Sequence, residues 1–328
     1  MKVTDKSEIG RTGLMVGRLG LGGAPLAGLY AGVTDEQAYT TIERHLECGM
    51  DFLDTAPLYG SGVSETRLGH VLSGRDRDSF VLASKVGRLL VPDPNRPQDV
   101  WSADLPPIKA IFDYSYDATM RSLEESLERL KLDRLDILHI HDPDNDFDAA
   151  MSGSYKALEK LRTEGVIKAI GAGMNQAEMP VRFAREGDFD CFLLAGRYTL
   201  IDHTGLNELL PVCMEKHISI IVGGPYNSGI LAMGAVAGAT FDYSPAPPDI
   251  MDKVRRIEAV CDHHQVPLKA AALQFPLAHP AVAAIIPGGR NPVEVDENVA
   301  LVQYDIPTDF WSELRFEGLI PDEAPTPV

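Results

Sequence analysis

Eight short apolar runs, each followed by a stretch with helical periodicity, constrain the fold of this chain more than any other feature. The runs are almost continuously hydrophobic, which is typical of parallel strands that are buried on both faces. Alternating units joined by right-handed crossovers predict an α/β fold, the (β/α)8 or TIM barrel. The runs lie at residues 18–23, 50–55, 80–85, 136–141, 167–173, 191–196, 218–224 and 282–288.

The sequence shows no change of composition that would mark a linker, so we expect a single barrel domain over residues 1–328. Residues 7–17 place glycines between short apolar pieces, which predicts a short N-terminal β-hairpin that caps the floor of the barrel. Two long βα loops, 87–114 and 142–154, would lie over the C-terminal mouth. We interpret the first of them as a substrate-covering loop.

The overall charge excludes some classes of partner. The formal net charge is −18, from 30 basic and 48 acidic residues, so we expect neither nucleic acid nor a membrane surface as a partner. The N-terminus lacks an apolar secretory core, and no apolar stretch is long enough to span a bilayer. The four cysteines are widely spaced, which is typical of reduced thiols and favours a cytoplasmic location. The oligomeric state stays open.

Ionisable side chains stand at the ends of three successive predicted strands, where the residues of a barrel converge on one mouth. Asp54 and Tyr59 follow the second run, Lys85 ends the third and His141 ends the fourth. A lysine beside the phenol would lower the pKa of Tyr59, and Asp54 would hold that lysine charged. Such a tyrosine can exchange a proton with an alcohol or carbonyl oxygen, while a neutral His141 donates to the same oxygen. The pattern predicts a site whose side chains transfer a proton while another group transfers a hydride.

His139 is the alternative to His141, because residues two apart on a strand face the same way. It either contacts the substrate or packs beneath His141 as a core histidine. His139, His141 and Asp142 also form a set that could ligate zinc in a metal-dependent hydrolase. The lack of a further histidine cluster at other strand ends disfavours that alternative, and we assign no metal ligand. His263 and His264, late on a predicted helix, are interpreted as solvated.

Several of these segments resemble the aldo-keto reductase family, in order and over nearly the whole chain. Residues 50–72 are similar to its aspartate and tyrosine motif, 81–87 to its lysine segment and 132–144 to the segment with its histidine. Residues 161–176 and 283–299 are similar to its cofactor-binding segments. The resemblance implies a barrel with an N-terminal hairpin, NAD or NADP in an extended groove, and the catalytic tetrad Asp54, Tyr59, Lys85 and His141.

The resemblance also implies where the nicotinamide lies. Asn175 falls where the family holds the carboxamide. The family's usual glutamine on the sixth strand is Ala195 here, and the aromatic residue that often follows the seventh strand is a glycine. Tyr226 or Arg197 could compensate for that aromatic residue. The residues after the seventh strand that we expect to contact the cofactor are Gly224, Pro225, Tyr226 and Ser228.

The last cofactor segment bears on the choice between NAD and NADP. The positions at which NADP-preferring members carry basic residues are Gly288 and Glu294 in this chain. A carboxylate repels a 2′-phosphate but accepts a hydrogen bond from a free 2′-hydroxyl, so the resemblance implies a preference for NAD. Arg290 is close enough in sequence to restore phosphate binding. Glu297 and Asn298 are expected at the adenine end.

The substrate side is assigned to Trp101, in the long loop, together with His139 and Arg197. Within the family, several segments resemble a subgroup of sugar and pyridoxal dehydrogenases. This implies oxidation of the anomeric hydroxyl of an aldose of the L-fucose type to a lactone, with Tyr59 taking the proton. Pyridoxal 4-dehydrogenation and general aldehyde or ketone reduction are alternatives within the same chemistry. A non-catalytic binding subunit is a further alternative, which the intact tetrad disfavours.

Overall fold

The computed structural model describes residues 1–96, 101 and 105–327. Within these residues, eight parallel strands form one sheet in which neighbours follow chain order. Leu19 bridges to Ile285 and Gly22 bridges to Gly288, so the last strand meets the first and the sheet closes. The predicted (β/α)8 barrel is therefore confirmed. The barrel strands are Leu21–Gly22, Phe52–Asp54, Val81–Val86, Ile137–His141, Ala169–Met174, Cys191–Ala195, Ser219–Gly223 and Val282–Ile286.

Helices cover the outside of the barrel and pack their apolar stripes against the strands. The helix that follows the first strand is capped by Thr34, whose hydroxyl accepts a hydrogen bond from the backbone N–H of Gln37 at 3.2 Å. The Gln37 side chain accepts from the backbone N–H of Thr34 at 2.9 Å, which completes a capping box. Besides one short helix in the second long connection, the α-helices of the described residues are Asp35–Glu47, Val63–Leu72, Tyr116–Leu130, Tyr155–Thr163, Glu178–Glu186, Leu209–Lys216, Ile230–Met233, Pro248–His264, Leu268–Leu277, Pro292–Val302 and Thr308–Phe316.

The N-terminal hairpin closes the floor of the barrel, as predicted. Its strands Lys6–Glu8 and Met15–Gly17 pair in antiparallel fashion. Ile9 and Val16 are fully buried and join the apolar cluster inside the barrel, which includes Phe52 at the start of the second strand. The end of the barrel at which the strands begin is thus filled with apolar side chains. The polar strand ends lie at the opposite mouth.

The two long connections contain more regular structure than expected. In the first, Arg88–Pro92 pairs with Ile108–Phe112 as an antiparallel ribbon, while residues 97–100 and 102–104 lie outside the described residues. The ribbon was missed because the prolines around it are typical of a loop. The second connection contains the short helix Phe147–Ala149 and a π-helical turn, Ala150–Ser154. None of the helices in the described residues is long and apolar enough to cross a bilayer.

Candidate active site

Asp54 and Lys85 form a buried ion pair at the open end of the barrel. They lie on the adjacent second and third strands, whose parallel pairing brings both side chains into the interior near the mouth. The Lys85 ammonium donates to Asp54 Oδ1 at 2.8 Å, to Asp54 Oδ2 at 2.7 Å and to the Thr55 carbonyl at 2.8 Å. Burial raises the pKa of Asp54, and the Lys85 charge opposes that rise. Three acceptors match the three protons of the ammonium, which fixes its position.

Tyr59 lies directly beside this pair. The chain leaves the second strand through a tight turn in which Gly60 and Gly62 have φ values of 60° and 92°, a region that favours glycine. The Lys85 Nζ lies 4.7 Å from the centroid of the Tyr59 ring. The His141 ring meets the Tyr59 ring edge to face, with centroids 6.0 Å apart and an interplanar angle of 88°. The fold thus brings together the four residues that the sequence analysis assigned to the tetrad.

The acidity of Tyr59 differs from the expectation. Burial raises the pKa of the Tyr59 phenol well above its usual value, and the charges of Asp54 and Asp142 raise it further, against the opposing effect of Arg88. The predicted lowering of this pKa by Lys85 is wrong for the protein alone. The ammonium is already paired with Asp54, and it lies against the face of the phenol ring. Tyr59 is therefore a proton donor in the free protein.

The two histidines of the fourth strand are both buried and neutral. Burial lowers the pKa of His141 and of His139 well below the usual value, and the Lys85 charge adds to this effect. The Nδ1 atom of His141 is buried without a hydrogen-bond partner among the described side chains. Its Nε2 atom is therefore the ring nitrogen available to the cleft that His141 lines. A neutral imidazole in this position can donate a hydrogen bond to a substrate oxygen.

His139 lies below the mouth, away from the lining of both clefts there. Its side chain is 0% exposed, and it lines neither of the two clefts at the mouth. It lies against Gly171 of the next strand, where an added Cβ atom would be only 2.1 Å from its Nδ1 atom. The structure thus agrees with the alternative in which His139 packs beneath His141. It is not a satisfied core histidine, however, because within the described residues neither ring nitrogen has a hydrogen-bond partner.

A cleft with about 820 Å³ of open space begins at Tyr59 and crosses the strand ends towards Gly288; we call it the cofactor groove. Its described lining includes six glycines, which let a ligand approach the backbone closely. At Gly224, with φ at 56°, an added Cβ atom would point into open space. An extended groove of this kind fits a dinucleotide. The predicted cofactor residues that line it are Asn175, Gly224, Ser228 and Gly288.

The other predicted cofactor residues lie outside the lining of the groove, and most are engaged with one another. Arg290 donates to Glu294 Oε1 at 3.0 Å, so the guanidinium and the carboxylate compensate each other. Tyr226 donates to the Asn298 carboxamide oxygen at 2.7 Å and is thereby tied to the last barrel helix. The predicted residues in this group are Pro225, Tyr226, Arg290, Glu294, Glu297 and Asn298.

Arg197, which the sequence analysis assigned to the substrate and also considered beside the nicotinamide, lines the cofactor groove and not the substrate cleft. Its guanidinium pairs with Asp242 at 2.9 Å and with Asp202 at 3.4 Å. Asp242 and Tyr243 form the tip of a small hairpin after the seventh strand. Tyr243 approaches Tyr30, with ring centroids 6.4 Å apart, and both line the groove. These aromatic residues were missed because a lone tyrosine in a loop has no positional signal in the sequence.

A second cleft of about 760 Å³ adjoins the groove at Tyr59, and we call it the substrate cleft. Trp101, which the sequence analysis assigned to the substrate, lines this cleft with its ring centroid 5.9 Å from that of Tyr59. Leu58, Met174 and Leu193 give most of the remaining wall an apolar character. Asp142 also lines the cleft, although the sequence analysis considered it only as a possible metal ligand and as the start of a loop.

The zinc alternative at residues 139–142 gains no support from the geometry. Within the described part of the chain, the three potential metal ligands that lie close together are His263, His264 and Glu313, on outer helices. Both imidazoles hydrogen-bond to Glu313 Oε2, at 2.9 and 2.8 Å. The side chain of His263 is 68% exposed, as expected for a solvated residue, but that of His264 is only 15% exposed.

Known proteins are similar to this chain in both sequence and fold. Two relatives are 39% identical to it. Pyridoxal 4-dehydrogenase of Microbacterium luteolum matches over 98% of this chain and 99% of its own length. D-threo-aldose 1-dehydrogenase of a Pseudomonas species matches over 94% and 96%. Thus both relatives align over nearly their full lengths.

The fold comparison agrees. An aldo-keto reductase from Bacillus halodurans, solved in a holo form, superimposes with a TM-score of 0.76 over 95% of this chain and 96% of its own, at 23% identity. The model of the "Aldo/keto reductase family" matches residues 18–315. That match begins just before the first barrel strand and ends within the last helix. The chain therefore belongs to the aldo/keto reductase family and is an oxidoreductase.

Proposed function

We propose that this protein is an NAD(P)-dependent dehydrogenase that oxidises the anomeric hydroxyl of an aldose to a lactone. The observation that carries the proposal is the position of Tyr59, which lines both the cofactor groove and the substrate cleft. The Asp54–Lys85 pair lies behind its ring, and His141 lies beside it. The 39% identity with D-threo-aldose 1-dehydrogenase supports an aldose as the substrate.

The side chains of this site can handle the proton of such a reaction. Bound NAD⁺ supplies a hydride acceptor at nicotinamide C4. Tyr59 would act in its phenolate form, taking the O1–H proton as the C1–H bond gives up its hydride to the bound cofactor and C1=O of the lactone forms. Neutral His141 donates to O1 and fixes its orientation. Because burial raises the pKa of Tyr59, its phenolate fraction limits oxidation, so we expect oxidation to speed up as the pH rises.

We propose NAD as the preferred cofactor. Glu294 lies outside the lining of the cofactor groove, but it belongs to the segment that we expect near the adenosine end, where a carboxylate would repel a 2′-phosphate and accept a hydrogen bond from a 2′-hydroxyl. Arg290, the nearby cation considered for phosphate binding, already donates to Glu294. A phosphate would have to compete with that ion pair. This supports NAD over NADP.

Pyridoxal 4-dehydrogenation is the second candidate, because the relative with that name is equally similar over an even larger share of the chain. Its substrate has an aromatic ring, for which Trp101 and Tyr59 offer stacking surfaces in the substrate cleft. The two candidates use the same proton donor and acceptor. They differ only in the molecule that fills the cleft.

One assay tests both candidates. Purified protein is incubated with NAD or NADP and with L-fucose, D-arabinose or pyridoxal, and reduced nicotinamide is followed by fluorescence. We expect the two sugars to give a higher kcat/KM than pyridoxal, and NAD to give a higher kcat/KM than NADP. Tyr59→Phe should lower kcat about 10²- to 10⁴-fold while NADH binding persists. Tyr304→Phe, which removes a remote hydroxyl bound to the Gln265 carbonyl, is the matched control and should keep activity. No reduced nicotinamide with either sugar would overturn the aldose proposal.

A further inference from the structure

We infer that Asp142 binds the hydroxyl on the carbon next to the reacting carbon, and so selects substrates that carry such a hydroxyl. The inference rests on the proposed function and deepens it, because it defines the substrate class that the cleft recognises. Asp142 lines the substrate cleft together with His141, Trp101 and Tyr59. Its role follows from its backbone conformation, its distance to His141 and its charge partner.

The backbone at Asp142 is bent in a way that few residues tolerate. Its φ is 46°, in the left-handed region that costs a non-glycine residue of order 1 kcal/mol or more. The Tyr114 hydroxyl lies 2.8 Å from the carbonyl oxygen of His141 and 2.7 Å from that of Asp142. The Asp142 N–H donates to the Gly173 carbonyl at 2.9 Å. Consecutive residues of a strand face opposite ways, but this bend brings His141 and Asp142 to the same cleft.

The two side chains are spaced to bind two neighbouring oxygens. Asp142 Oδ2 lies 3.7 Å from His141 Nε2, too far for a hydrogen bond between them. The two side chains therefore do not satisfy each other, and both keep hydrogen-bonding capacity for a substrate. Adjacent hydroxyl oxygens of a sugar lie about one hydrogen-bond length apart, so an oxygen held by His141 Nε2 places its neighbour within reach of the carboxylate. His141 would hold the reacting oxygen while Asp142 accepts a hydrogen bond from the adjacent hydroxyl.

The charge of Asp142 is compensated, but its acceptor capacity is not used up. Arg88, on the ribbon of the long connection, pairs with Asp142 Oδ2 and stacks on Phe112, with its guanidinium carbon 4.3 Å from the ring centroid. An ionised carboxylate offers about four acceptor positions, so one arginine bond leaves room for a substrate donor. The side chain is only 15% exposed in a mainly apolar cleft. A substrate without the hydroxyl would displace water from the remaining acceptor positions of this carboxylate without replacing the lost hydrogen bond.

The test compares enzyme variants and substrates in one cycle. The variants are Asp142→Gly and Asp142→Asn, because glycine and asparagine both tolerate the left-handed backbone. The substrates are L-fucose and 2-deoxy-L-fucose, oxidised with NAD. We expect the unmodified enzyme to prefer the 2-hydroxy sugar about 10- to 100-fold in kcat/KM, the effect of a hydrogen bond to a charged group. In Asp142→Gly the preference should fall to within about threefold, because the acceptor is gone.

A matched control uses the next carboxylate along the chain. Asp144 accepts from Gln176 at 3.0 Å and lies outside the described lining of both clefts, so Asp144→Asn should keep the preference. NADH binding, followed by fluorescence, should be unchanged in all variants. If the ratio of kcat/KM for L-fucose to that for 2-deoxy-L-fucose is the same in Asp142→Gly as in the unmodified enzyme, the inference is overturned and the proposed function stands. No oxidation of either sugar by the unmodified enzyme would instead overturn the proposed function.

Discussion

The ammonium of Lys85 lies 2.7 Å from Oδ2 of Asp54, and neither side chain exposes more than 2% of its surface. Removal of one partner leaves the other charge buried alone, which costs about 3–5 kcal/mol. We therefore expect Lys85→Met and Asp54→Leu to lower the free energy of unfolding by about that amount each. The double variant should recover most of the loss but show no activity. Urea unfolding followed by circular dichroism measures the three values.

If the losses of the two single variants simply add in the double variant, the two residues act independently and the pair is not the unit described here. Ser312→Ala, which removes an exposed hydroxyl on the last helix, serves as the stability control. Its free energy of unfolding should stay within about 0.5 kcal/mol of the original.

The contact between Gly171 and His139 allows a sharp test of packing under the site. A Cβ atom at position 171 would lie 2.1 Å from His139 Nδ1, whereas one at position 173 would meet its nearest neighbour at 3.6 Å. Gly171→Ala should therefore lower the unfolding free energy by about 1–3 kcal/mol, and Gly173→Ala should change it little. Adding His139→Ala should relieve the clash at 171. Thermal unfolding of the three variants and of the original protein measures these effects, and equal effects at 171 and 173 would contradict the close packing at Gly171.

The ion pair between Arg290 and Glu294 predicts how cofactor choice can be changed. Glu294→Gln would free the guanidinium for a 2′-phosphate, so the ratio of kcat/KM for NADP to that for NAD should rise about tenfold. Asp296→Asn makes the same change of net charge on the same helix, but Asp296 pairs with Arg44. That control should leave the ratio unchanged. A similar rise in both variants would show that overall charge, and not Arg290, sets the preference.

His45 predicts a loss of stability in mild acid. It is fully buried on the first helix, hydrogen-bonds to the Phe52 carbonyl at 3.1 Å, and burial lowers its pKa from 6.5 to about 4. Between these two pKa values His45 is protonated in the unfolded chain but not in the folded protein, so the free energy of unfolding falls as the pH falls. The loss should reach at most about 3 kcal/mol near pH 4.

We expect His45→Gln to remove this part of the pH dependence, since the amide can still donate to Phe52 and does not titrate. Urea unfolding at pH 7 and pH 5 compares the variants. His70→Gln, on the exposed face of the second helix, is the matched control and should retain the original dependence. An unchanged slope in His45→Gln would assign the acid sensitivity to other groups.

The barrel could be predicted from the sequence because strands buried on both faces must be apolar along their whole length. The tetrad could be placed because barrel strands end at one mouth, so Asp54, Lys85 and His141 had to converge. The cleft walls were harder to predict. Arg88 and Tyr243 reach the mouth from a ribbon and a hairpin tip, whose positions depend on tertiary contacts. The direction of the Tyr59 pKa was missed because burial outweighs a lysine that is already paired.

The seam at which the barrel closes has a consequence for dynamics. Backbone hydrogen bonds from Gly20, Gly22 and Ile285 join the first and last strands there, beside the very short first strand. Gly22 and Gly288, which bridge across this seam, also line the cofactor groove. Amide hydrogens along the seam should exchange with solvent sooner than those between the long central strands. A nucleotide bound over the seam would contact the first and the last strand at once. Saturation with NADH should therefore both slow that exchange and raise the melting temperature.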